Sequence, residues 1–261
     1  MNTNLSKVEA SFFNTSDIEL QKTKIPYIKV SNYPDLGLIT SLRFLEWAIE
    51  NPKGVISLPT GKTPEYFIKW THYILNNWDS DKVISIRSNY GLSSKNKPDL
   101  SKLHFIQIDE FYPLDPSQHN SFSKYVRKYY LEGFNISEEK ALLISADDIP
   151  IYNNQHWNEI FPDGLIDLGL RHADPSTDLQ KKQQESIYLI DQWCNQYEEK
   201  IRGLGGIGFF LGGIGPDGHI AFNIRGSDHN STTRLMETNF ETQAAAATDL
   251  GGIEISKNRL V

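Results

Sequence analysis

At 261 residues, 39% of them hydrophobic, the chain is long enough to bury a full α/β core. Its 26 Lys and Arg against 33 Asp and Glu give a formal charge of −7, with both signs interspersed, so no basic stripe is present to track a nucleic-acid backbone. No run approaches the roughly 20 apolar residues of a membrane span and the start carries no continuous hydrophobic leader, so neither nucleic acid nor a membrane is expected as a partner, and a cytoplasmic setting is.

Residues 1–26 are polar without a sustained period and read as a tail, or as a segment that wraps a neighbour. A short β-like run, Tyr27 to Val30, precedes a stretch from Asp35 to Glu50 in which Leu38, Leu42, Leu45 and Ile49 recur at helical spacing until Pro52 ends it. Gly54 to Leu58 then predicts a buried strand. It runs into Pro59-Thr60-Gly61-Lys62-Thr63-Pro64 and a helix through Trp78. Asp79 to Ser101 reads as a polar excursion, Leu103 to Ile108 as a strand ending at Asp109-Glu110, and about 121–131 as a helix. A strand at Ala141 to Ser145 is followed by a long ordered insertion, about 146–178. The helix expected over about 180–202 holds the single cysteine, Cys194, as a core or groove thiol, and leads through glycines into a strand from Ile207 to Leu211.

Strands alternating with helices predict a three-layer α/β fold: a mostly parallel, Rossmann-like sheet with helices on both faces, forming one domain over 27–261. The C-terminal run, Gly252 to Val261, reads as a strand in progress. The natural protein is therefore expected to continue beyond Val261.

Ligands of open α/β sheets bind beyond the carboxyl ends of the strands, where three motifs fall. In the first, Gly61 permits close backbone approach, the following helix offers free N–H groups, and Thr60, Lys62 and Thr63 can meet an anion. The same residues also suit a plain strand-to-helix turn with a threonine cap and Pro64 in the first turn. The second, Asp109-Glu110, offers a carboxylate whose partial burial would suit general-base work, or else a turn cap beside a solvated neighbour. The third spans Gly212 to Asn223. Gly213 and Gly215 let a ligand approach the backbone, and Asp217 can orient or charge-stabilise His219 for proton transfer; a tight turn with a satisfied histidine is the alternative. The remaining histidines offer no compact ligand spacing beside His219, so no metal is expected.

Through Leu58-Pro59-Thr60-Gly61 with Thr63-Pro64, Ile108-Asp109-Glu110-Phe111, and the run from Gly212 to Asn223, the chain resembles the glucosamine-6-phosphate deaminase/isomerase family. Asn195 to Ile201 adds to the likeness. The resemblance implies a cofactor-free, metal-free enzyme of amino-sugar catabolism, an isomerising hydrolase that converts glucosamine 6-phosphate to fructose 6-phosphate and ammonia. In that reading Asp109 moves a proton between C2 and C1, His219 with Asp217 assists ring opening, and the Thr60–Thr63 loop holds the phosphate. Glu110, Gly213, Gly215 and Asn223 then border the sugar. A homo-oligomer is implied as well, with Arg234 resembling an effector-site arginine or serving as an exposed structural one. Two departures bear on activity: Ile224 stands where the family has glutamate, and the Ala244–Ala247 stretch where it has a phosphate-binding arginine. A 6-phosphogluconolactonase-like hydrolase is the alternative enzyme, although Ile220-Ala221-Phe222-Asn223 departs from the lactonase pattern. A catalytically weakened sugar-phosphate-binding module of a longer protein is the alternative from another class.

Overall fold

The computed structural model describes residues 5–15, 27–215, 217–250 and 256–261, with the side chains of residues 14, 15 and 248–250 left out. Residues 1–4 and 16–26 of the expected tail, Pro216, and residues 252–255 of the expected C-terminal strand lie outside the described residues. In chain order the elements begin with α1 (Lys7–Thr15), α2 (Tyr33–Glu50), β1 (Val55–Ser57), α3 (Glu65–Asn76), α4 (Asp81–Asn89), β2 (His104–Ile106) and β3 (Glu110–Phe111). They continue with α5 (Phe122–Val126), which passes through one π-helical turn into α6 (Glu132–Phe134), then β4 (Ala141–Leu142), α7 (Trp157–Ile160) and α8 (Asp178–Gly203). The chain closes with β5 (Phe209–Phe210), β6 (Leu235–Glu237), α9 (Phe240–Leu250) and β7 (Asn258–Leu260).

The central sheet is parallel, in the order β4-β2-β1-β5. Successive side chains of a strand face opposite sides, and the two middle strands show it. Ile56 and Phe105 join one core with α2 and α3, whereas Val55 and Ile106 join a second core with Ile187, Ile190 and Cys194 of α8. This is the expected three-layer arrangement. Because β1 lies between β2 and β5, the loops leaving these three strands emerge side by side at one edge. That strand order brings the sequence motifs together.

The long helices carry the signals that start and stop helices. Asn32 caps α2 by accepting from Asp35 N, and Thr177 caps α8 by accepting from Gln180 N at 3.1 Å. Gly205 and Gly206, both at positive φ, let the chain turn back from α8.

Three features differ from the sequence reading. Residues 7–15 form α1, docked on α2: Val8 and Phe12 are buried and Glu46 accepts from Lys7 N and Val8 N. The polar stretch 79–101 contains α4, capped by Ser80, with buried Arg87 stacked 3.8 Å from the Trp78 ring and donating to Ser94 O and Trp78 O. A second, antiparallel sheet, β3-β7-β6, joins the residues after Asp109 to the C-terminal strand.

Candidate active site

Asp109 follows β2 and is almost fully buried. Its peptide is held by Gln107, whose Nε2 donates to Asp109 O at 3.0 Å while its Oε1 accepts from Ile144 N at 2.9 Å. The Tyr197 hydroxyl donates toward Gln107 O at 2.9 Å, tying this turn to α8. Burial pushes the Asp109 carboxyl above its ordinary range, opposed by the charge of Arg259 and by His219. The Arg259 Nη2 lies 3.7 Å from Asp109 Oδ2.

In the glycine-rich turn the His219 Nδ1 sits 2.5 Å from Asp217 Oδ1. The other oxygen of Asp217 accepts from Asn239 Nδ2 at 2.7 Å, and Thr242 Oγ1 stands 3.5 Å from His219 Nδ1. The hydrogen bond from Asn239, then that to His219, holds the Asp217 carboxyl below its ordinary range. An anionic Asp217 at Nδ1 fixes the imidazole orientation and leaves Nε2 for proton exchange. Gly215 is required by close approach, since a Cβ there would meet the His219 ring at 2.1 Å. The Phe222 ring stacks on the imidazole with centroids 4.6 Å apart, from a backbone at φ 55°, a conformation strained for an aromatic residue.

One cavity of about 180 Å³ is lined by Thr60, Thr63, Asp109, Gly213, Gly215 and His219, together with apolar groups that include Phe122 and Phe222. Gly61 and Lys62 line the adjoining cavity of about 630 Å³ with His119, Tyr125 and Tyr129, and Phe122 borders both. Gly61 has φ 86°. No side chain caps α3, whose N-cap position is Pro64, so the threonine-capped turn weighed from sequence is not the geometry here. The Tyr130 hydroxyl donates to Pro59 O at 2.5 Å and anchors this loop from the core.

Other candidates lie apart from the cavity walls. Glu110 turns inward: its Oε1 accepts from Phe111 N at 3.0 Å, and its Oε2 from Ser121 Oγ at 2.9 Å and Ser123 N at 2.8 Å. It braces the start of α5, and burial raises its carboxyl to about 7. Asn223 is exposed, its Oδ1 accepting from Arg234 Nη2 at 2.8 Å. Arg234 is therefore tied to the glycine-rich turn instead of standing alone. The sequence reading missed Asn239, Thr242, Tyr130 and Arg259. Of these only Asn239 carried a local signal, an Asn-Phe-Glu-Thr start to an alanine-rich run, and its Oδ1 indeed accepts from Thr242 N at 3.0 Å. Among the described residues no cluster of His, Cys, Asp and Glu fit to hold a metal is found, and no helix is long and apolar enough to cross a membrane.

No protein-family model matches the chain. It is 36% identical over 135 residues to a glucosamine-6-phosphate deaminase of Caenorhabditis elegans, covering 48% of this chain and 48% of the relative. It is 37% identical over 130 residues to glucosamine-6-phosphate deaminase 2 of Bos taurus, covering 49% of this chain and 42% of the relative. The chain thus spans about half the length of the curated relatives it matches. A solved structure of a monomeric glucosamine-6-phosphate deaminase, assigned to the NagB superfamily, superposes with a TM-score of 0.59 over 89% of this chain and 73% of the other at 21% identity, which shows the shared fold. Over about half of its length the chain is thus similar in sequence to glucosamine-6-phosphate deaminases.

Proposed function

We propose that the cavity binds an amino-sugar phosphate and catalyses its isomerising deamination, converting glucosamine 6-phosphate and water to fructose 6-phosphate and ammonia. The observation that carries this reading is the meeting, in one small cavity, of a buried carboxylate, a carboxylate-oriented imidazole and the Thr60/Thr63 loop. Asp109 acts as the base that takes the C2 proton and returns it to C1. Its water-excluded position strengthens its basicity, and the charges of Arg259 and His219 oppose that rise. His219, oriented by Asp217, exchanges the ring-oxygen proton during ring opening. The threonine hydroxyls and the uncapped start of α3 suit the phosphate, with Lys62 beside them in the adjoining cavity.

Ile224 occupies the position of the expected glutamate, and Asn239 with Thr242 supplies polar support to the Asp217–His219 pair instead. The test is release of ammonia and fructose 6-phosphate from glucosamine 6-phosphate, with binding of the same sugar followed by calorimetry. Turnover supports the deaminase reading. Binding without turnover favours a sugar-phosphate-binding module, and the absence of both would overturn the assignment.

A further inference from the structure

Arg259 lies at the centre of β7 with no exposed surface. Its neighbour across the antiparallel pair is Phe111, so the register places that ring against the guanidinium. The Cζ atom stands 3.4 Å from the Phe111 centroid and 3.3 Å from that of Phe222, and Phe122 closes a third side at 5.0 Å. Aromatic faces favour a cation but accept no conventional N–H hydrogen bond. Accordingly Nε, Nη1 and Nη2 have no hydrogen-bond partner among the described residues, and neither has Asp109 Oδ2.

A buried guanidinium without acceptors is costly unless its charge is used. Two carboxylates are near enough to use it. Those of Glu110 are already engaged by Phe111 N, Ser121 and Ser123, whereas Asp109 Oδ2 is open and 3.7 Å from Nη2. We infer that Arg259 is a positioning residue that holds Asp109 as an anion, clamped for that purpose between Phe111 and Phe222. The inference rests on the reading of Asp109 as the base of the proposed reaction. Burial raises the proton affinity of Asp109, and the fixed cation opposes that rise without touching the sugar. Phe222 stacks on His219 and also lies against the Arg259 guanidinium, so one ring contacts both groups. The other titratable groups facing Asp109 are His219 from the glycine-rich turn and Tyr197 from α8, with Glu110 adjacent in the chain.

The experiment is a carbon-13 NMR titration of the Asp109 carboxyl, assigned by its loss in Asp109→Asn, in the wild-type chain, Arg259→Met and Arg259→Lys. In the wild type Asp109 is expected to be ionised at pH 7. In Arg259→Met its midpoint should rise by about one to three pH units, with Arg259→Lys falling between. An unchanged midpoint in Arg259→Met overturns the inference, because a merely structural arginine would alter stability and leave the titration in place. If Arg259→Met does not fold, the lysine variant and the wild type decide: a wild-type Asp109 that is protonated at pH 7, or a lysine midpoint equal to wild type, also overturns it. The readout needs no turnover, so absence of ammonia release would sink the functional proposal while leaving this one standing or falling on the titration.

Discussion

Asp109 is subject to two large and opposed influences, loss of water and the Arg259 charge, and both act on its one carboxyl. Asp109→Asn keeps the shape and removes both the basicity and the counter-charge. Turnover of glucosamine 6-phosphate should fall by a factor of about 10²–10⁴, with calorimetric binding of the sugar largely kept. Stability should fall as well, by about 3 kcal/mol in urea unfolding, because Arg259 then stays buried without its carboxylate. Asn239 acts on the other side of the cavity, donating to Asp217 while its Oδ1 caps α9. Asn239→Ala should cost about 1 kcal/mol through the lost cap. It should also lower kcat with little change in KM, as the imidazole loses its fixed orientation. Asp217 titrates below its ordinary range in the folded chain, so its stabilising contribution is present above the unfolded value and lost as pH falls through the folded one. Asn239→Ala should move that acid limb upward.

At the level of elements, Glu110 shows how a catalytic-looking carboxylate becomes structural. It sits on β3, where its Oε1 accepts from Phe111 N and its Oε2 from Ser123 N in the first turn of α5. Its carboxyl moves from 4.5 to about 7 on burial, so the folded chain binds more protons than the unfolded one between those values. The contribution is stabilising below about 4.5 and is lost as pH rises through about 7. Wild-type stability is thus expected to drop between pH 5 and pH 8 by on the order of 3 kcal/mol more than that of Glu110→Gln, read from urea midpoints at both pH values. Spacing alone does not say which of the adjacent carboxylates is the base, the family resemblance implies Asp109, and the bonds of Glu110 to Phe111, Ser121 and Ser123 set it apart as a brace. The central strands, α2, α3 and α8 were legible because their apolar periods and caps are local. By contrast α1 buries only Val8 and Phe12 among its described apolar side chains at full depth and depends on Glu46, 38 residues away, for its first amides. Similarly α4 buries Val83 and Arg87, too little for a visible period. Arg259 was unreadable because its surroundings come from Phe111 and Phe222, which meet it only after the chain has folded.

For the molecule as a whole, the decisive feature is that two apolar cores share the thin sheet between them. Val55 and Ile56 are adjacent in sequence yet belong to different cores, and Phe105 and Ile106 repeat the pattern. Neither core can lose its packing without exposing one face of strands that the other needs. The cavity depends on the same arrangement, since the loops at Thr60, Asp109 and Gly213 are held by β1, β2 and β5. Leu42 of α2 is fully buried in the first core and takes no part in the second. Leu42→Ala should therefore destabilise the whole chain by about 3 kcal/mol. Amide exchange in α8, across the sheet, should accelerate by the same factor as exchange in α2, and far-UV circular dichroism should show one coincident transition. Faster exchange confined to α2 and α3, with α8 protected as before, would mean that the two cores unfold separately and that the site is framed by two units.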